Sequence, residues 1–94
     1  MRIIARRTLR EFWTKHADAE QPLKAWYAHA KKADWETPAD IKNDYASASV
    51  VANNRVVLGN DYRLIVAVNY RFGILFIRFI GTHSEYDKVD VETV

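Results

Sequence analysis

The chain has 94 residues, no cysteine and a formal charge of +2 at neutral pH. That length fits one small domain, which buries only roughly 60–65% of its unfolded surface, and the lack of cysteine excludes disulfides, thiolate nucleophiles and cysteine-ligated zinc. With 49% hydrophobic and 13% aromatic residues, the composition describes a packed globule rather than a disordered segment.

Met1-Arg2 leads straight into Ile3-Ile4-Ala5, too short an apolar stretch for a signal peptide. The longest apolar run, Ile74–Ile80, is interrupted by Arg78 and falls far short of a membrane span. A cytoplasmic chain with no membrane partner is therefore expected. The net charge hides an asymmetry. Residues 1–32 hold eight Lys/Arg against three acidic residues, whereas the last ten hold Glu85, Asp87, Asp90 and Glu92 against Lys88 alone. A cationic face of this kind suits a polyanion, although a merely solvated helix face reads the same way.

In chain order, residues 1–5 read as a short strand. Leu9, Phe12, Trp13 and His16 then recur at helical spacing, with Arg6, Arg7 and Arg10 off the apolar stripe. A second helix follows, with Asp18 as its expected cap, Pro22 near its first turn and a core stripe of Leu23, Trp26, Tyr27 and Ala30. Lys24, Lys31 and Lys32 occupy its other faces. His16 is expected at the buried rim of the first helix and His29 on a solvent face, neither with a chemical role. Thr37-Pro38-Ala39-Asp40 looks like a third helix start, with Ile41–Tyr45 as a short turn of helix and Lys42 exposed. The remainder is β in character: Arg55–Leu58, a turn at Gly59-Asn60-Asp61, Tyr62–Tyr70, a turn at Arg71-Phe72-Gly73, and Ile74–Ile80. Gly81 ends the last strand, and Thr82 or Ser84 starts a short helix or hooked tail. This order predicts an α+β domain, with two helices on one face of a small antiparallel sheet.

Hairpin parity extends the reading. With Arg71-Phe72 as a two-residue loop, Ile65 faces Arg78 and Arg63 faces Ile80. Arg63 and Arg78 then become diagonal neighbours on the open face, while Leu64, Val66 and Val68 point towards the helices. The stretch from Arg78 to Asp87 holds the groups that RNA cleavage by the substrate's own 2′-hydroxyl requires. His83 can exchange protons near neutral pH. Arg63 and Arg78 can clamp a phosphate and stabilise its developing charge. Tyr86 can hydrogen-bond the phosphate or stack on a base. Glu85 or Asp87 either orients the imidazole or serves as a surface cap. No HxxxH spacing, nucleophile elbow or glycine-rich phosphate loop occurs, so neither metal nor cofactor is expected.

The segment Ile77-Arg78-Phe79-Ile80-Gly81-Thr82-His83-Ser84-Glu85-Tyr86-Asp87-Lys88 resembles the signature of the HigB family of type II toxin–antitoxin toxins. Weaker matches lie at residues 35–42, 55–57 and 60–64. The resemblance implies a RelE-like fold, cleavage of messenger RNA on translating ribosomes, and neutralisation by a HigA-type antitoxin. It also implies catalytic positions at Arg63, Arg78, His83 and Tyr86, and an additional phosphate contact at Lys42. Arg6, Arg10, Lys31, Lys32 and Arg71 complete the expected RNA contacts. Two alternatives stay open: a ParE-like toxin that inhibits gyrase without cutting RNA, and a non-catalytic RNA- or ribosome-binding module.

Overall fold

Apolar residues at helical spacing drive the first half of the chain into helices, as the computed structural model, which describes residues 1–59 and 61–94, shows. A strand β1 (Arg2–Ile4) precedes helix α1 (Arg6–Lys15), whose Leu9 and Trp13 are buried. A single 3-10 turn (Ala17–Ala19) leads into α2 (Glu20–Lys32), which buries Leu23, Trp26 and Ala30. Asp18 does not cap α2, contrary to expectation. The capping position is Ala19, and the Asp18 carboxylate instead accepts the Tyr62 hydroxyl at 2.6 Å. Helix α3 (Pro38–Asp44) begins where Thr37-Pro38 predicts. Thr37 and Asp40 form a reciprocal capping box, and the two backbone N–H groups of Glu36 and Thr37 hold the Asp40 carboxyl below its ordinary pKa.

The second half builds the sheet from β2 (Ser49–Val51), β3 (Arg55–Leu58), β4 (Arg63–Asn69) and β5 (Ile74–Gly81), with a final short helix α4 (His83–Tyr86). The spatial order is β1-β5-β4-β3-β2. Strands β2 to β5 pair antiparallel, but β1 lies parallel to β5, so the sheet is mixed. The edge strand β2 was not expected. Val50 in it is 48% exposed, so no alternating burial marks it in the sequence. The turn expected at Gly59-Asn60-Asp61 includes Asn60, which lies outside the described residues.

One face of the sheet meets the helices. Val56, Leu58, Leu64, Val66, Val68 and Leu75 join Leu9, Trp13, Leu23, Trp26 and Ile41 in a continuous core. The other face is not fully open, as the sequence suggested. Val57, Ile65 and Ala67 point away from the helices by strand alternation and are nonetheless buried. The chain after α4 returns towards the same face. Asn53 Nδ2 donates to Glu92 O at 3.1 Å and Arg55 Nη2 to Val94 O at 2.8 Å.

Leu9 of α1 is completely buried in the core. Leu9→Ala is expected to cost about 2–5 kcal/mol through lost transfer energy and a residual cavity, read as a lower denaturant midpoint with an unchanged m-value. A loss below about 1 kcal/mol, the scale of an average substitution, would place Leu9 outside the core.

Candidate functional site

The pairing of β4 with β5 determines where the candidate residues stand. Near the hairpin tip the register follows the two-residue loop, with Asn69 opposite Ile74 and Val66 opposite Ile77. It then shifts by one, so that Ile65 faces Phe79, Leu64 faces Ile80 and Arg63 faces Gly81. Arg78 is the inserted residue of a β-bulge and has no partner in the ladder. The expected pairings of Ile65 with Arg78 and Arg63 with Ile80 are therefore corrected. The shared face survives for a different reason. Arg78 is exposed and its guanidinium lies 5.2 Å from the ring centroid of Phe76, which pairs with Ala67 on the face turned from the helices. Arg63 belongs to that face by alternation with Ile65 and Ala67.

Gly81, opposite Arg63, lets the chain leave the strand in tight quarters. A Cβ there would lie 2.5 Å from the Phe79 ring and 3.2 Å from Glu85 Oε1. The next residue, Thr82, caps α4: its hydroxyl accepts from Glu85 N at 3.2 Å, and Glu85 Oε1 accepts from Thr82 N at 2.9 Å. Of the two readings left open for Glu85, the structure gives the cap. These bonds from Thr82, helped by His16 and Lys88, hold the Glu85 carboxyl below its ordinary pKa. The cap sets His83 at the first position of α4 and Tyr86 at its last. Tyr86 returns to the sheet, where the Arg63 guanidinium sits 5.8 Å from its ring centroid. Arg63 also donates from Nη1 to Gly59 O at 2.6 Å. This uses one of its five N–H groups and fixes the direction of the others. His83 is exposed on the same turn.

The structure thus brings Arg63, Tyr86 and His83 to one end of the sheet, with Arg78 further along the same face. The six expected RNA contacts lie on several elements rather than around Arg63 and Tyr86. Arg6 packs its guanidinium over Trp13 and Tyr27 (5.3 and 5.6 Å), and Arg10 is exposed on α1. Lys42 donates to Ala46 O at 3.1 Å beyond the end of α3. Lys31 and Lys32 lie in the last turn of α2, and Arg71 at the tip of the β4–β5 hairpin. His29 is exposed, as expected, but it also has side-chain partners. It shares a 2.7 Å hydrogen bond with the Tyr45 hydroxyl and stands 3.6 Å from Asp44, which also accepts Trp35 Nε1 at 2.8 Å. His16 stacks on Phe12 with centroids 4.4 Å apart, beside Tyr62.

Sequence reasoning placed Gly81 only as the end of the last strand and missed both the crowding there and the Tyr62–Asp18 bond. Gly81 carried a signal, since a glycine directly before a Thr-x-x-Glu cap marks a close approach. A bond between residues 44 apart carried none. Behind Tyr62 lies a cleft of about 260 Å³, lined by Leu23, Trp26, Leu58, Leu64 and Ile80. Among the described residues, no group of three or more His, Asp or Glu side chains is placed to hold a metal ion. None of their helices is long and apolar enough to cross a membrane.

Helices on one face of a five-stranded mixed sheet, with a capped turn after its last long strand, define a small α+β domain of the RelE-like class. Residues 19–89 match a family described as HigB_toxin, the RelE-like toxic component of a toxin-antitoxin system, and the chain belongs to that family. The mRNA interferase HigB of Escherichia coli O6:H1 strain CFT073 is similar, with 28% identity over 94 residues covering 95% of this chain and 91% of that protein.

The capping box gives α4 a pH dependence. Glu85 has a lowered pKa in the folded chain, so its contribution is complete above the ordinary glutamate range and disappears as pH falls through the lowered value. The Thr82 amide resonance is expected to titrate below the ordinary glutamate pKa. Glu85→Gln, which retains a capping acceptor, should remove that titration while keeping α4. A Thr82 amide that titrates at the ordinary value would contradict the cap.

Proposed function

We propose that the chain is an endoribonuclease that cleaves messenger RNA through the substrate's 2′-hydroxyl, with Arg63, Arg78, His83 and Tyr86 as its catalytic residues. The observation that carries this is the convergence of Arg63 and Tyr86 at the strand end from which the cap of α4 launches His83. Family membership supplies the biological setting, and the name of the E. coli relative supplies the reaction.

In this reading a phosphodiester lies across the sheet end between the two guanidiniums. The 2′-hydroxyl loses its proton as its oxygen attacks the adjacent phosphorus, and the bond to the 5′ oxygen of the next nucleotide breaks. That oxygen leaves with a proton, giving a 2′,3′-cyclic phosphate and a 5′-hydroxyl. His83 serves one of the two proton transfers. Arg63 and Arg78 offer forked donors to the phosphoryl oxygens, whose negative charge rises in the transition state. The contact with Tyr86 and the bond to Gly59 hold Arg63 ready before substrate arrives, so little reorganisation opposes the reaction. Tyr86, with its ring on Arg63, presents its hydroxyl to the phosphate or its face to a base.

Cleavage is assigned to transcripts under translation in the cytoplasm, and neutralisation to a HigA-type antitoxin. The exposed cations on α1 and α2 suit the ribosome's polyanionic surface.

Removing either guanidinium as Arg63→Ala or Arg78→Ala is expected to lower cleavage by about 10²–10³-fold, with only partial recovery by lysine, which lacks the planar fork. Primer extension on transcripts after induction, with and without active translation, measures both the reaction and its dependence on ribosomes. Full cleavage by Arg78→Ala and His83→Ala together would overturn the assignment. Growth arrest with intact transcripts and failed DNA supercoiling would replace it with gyrase inhibition.

A further inference from the structure

The corner furthest from Arg63 combines exposed aromatic surface with converging positive charge. Phe72, at the tip of the β4–β5 hairpin, is 67% exposed, the largest value among the exposed large hydrophobic residues described. The tip is ordered. Phe72 N donates to Asn69 Oδ1 at 3.1 Å, and Gly73 turns the chain with a positive φ of 65°. The Arg71 guanidinium lies 5.3 Å from the Phe72 ring centroid. A ring two-thirds exposed cannot be covered on both faces, so the side away from Arg71 is available to a flat partner.

Two backbone connections bring further cations to this corner. Arg2 N donates to Gly73 O at 2.8 Å, which places the exposed Arg2 beside the tip. The Met1 ammonium donates to the carbonyls of Ala30, Lys31 and Ala33 at 3.2, 3.2 and 2.6 Å, which ties β1 to the last turn of α2. Lys31 and Lys32 are exposed on that turn. The nearest acidic residue in sequence to this group is Asp34. An exposed ring among arginines and lysines is the pattern that binds unpaired nucleic acid, in which bases stack on the aromatic face and phosphates meet the cations. An acidic peptide would use the cations but would leave the ring without a flat partner.

We propose that Phe72, Arg71, Arg2 and the Lys31–Lys32 turn form a second RNA contact, at which an unpaired base stacks on Phe72. The proposal deepens the reading of the chain as an RNA-cleaving enzyme and rests on its substrate class. Strand rise places Asn69 roughly 20 Å from Arg63, so the corner engages RNA outside the reacting phosphodiester. It adds affinity for a long or structured RNA without touching the chemistry.

The test uses the full chain and a 2′-O-methyl RNA of about twenty nucleotides, longer than one single-strand binding site. This probe lacks the 2′-hydroxyl nucleophile and stays intact. Phe72→Ala is expected to weaken binding about tenfold, as the loss of one base stack does, while Phe72→Tyr keeps parental affinity. Arg63→Ala should weaken binding separately, and the double variant should show both losses additively, because the two positions are far apart. Phe72→Ala binding within twofold of the parental chain overturns the corner, as does a parental chain that leaves the probe unbound at low salt. Loss of antitoxin binding with unchanged probe binding also overturns it, since the surface would then serve a protein. If Arg63→Ala binds normally while Phe72→Ala does not, the corner stands and the placement of the cleavage site fails.

Discussion

In the pairing of β4 with β5, a single inserted residue decides which side chains meet the core. Leu75 and Ile77 alternate correctly onto the helix side, and uninterrupted alternation would send Phe79 there next. The bulge at Arg78 replaces Phe79 with Ile80, which faces Leu64 and packs against the core. It thereby frees Phe79 to lie over Gly81 on the other face, while Arg78 keeps the outward side beside Phe76 that uninterrupted alternation also gives it. Bulges recur where a strand must re-aim a side chain. Here the inserted residue completes the apolar layer by bringing Ile80 onto the helix side.

The downstream consequences follow in order along the chain. Because the register has shifted, Arg63 meets Gly81 rather than Ile80, and Gly81 is the residue from which the capped turn departs. Without the shift, Arg63 would face Ile80, and the residue from which the capped turn departs would lie one position further along the pairing. Core packing and the candidate site are thus coupled through backbone register.

That coupling also marks the limit of what the sequence discloses. Helices α1, α2 and α3 were legible because their apolar spacing and the Thr37 cap are local signals. The identity of the candidate residues was legible because they cluster in one segment plus Arg63. The bulge was not, since either register leaves a plausible alternation and only the choice between Phe79 and Ile80 for the core separates them. Strand β2 escaped because an exposed edge strand loses the burial pattern, although Asn53 and Asn54, both left-handed at φ of 61° and 58°, marked its hairpin. The burial of Val57, Ile65 and Ala67 was illegible for another reason. Long-range bonds from Asn53 and Arg55 guide the returning chain, and they leave no periodicity to read.

The distribution of burial separates stability from chemistry in this fold. Arg78 and His83 are exposed, Arg63 and Tyr86 are only partly covered, and none belongs to the core. Truncating an exposed side chain away from caps and buried networks typically changes stability by within about 0.5 kcal/mol. Arg63 takes part in the structure through its bond to Gly59. Gly59 itself is fixed by crowding, since a Cβ there would collide with Tyr62 O, and by its φ of +112°. The carbonyl that orients Arg63 is therefore held by backbone geometry that tolerates no side chain. A small domain with little stability to spare can sustain a cationic site in this way, by hanging it on strand ends and a four-residue helix instead of burying it.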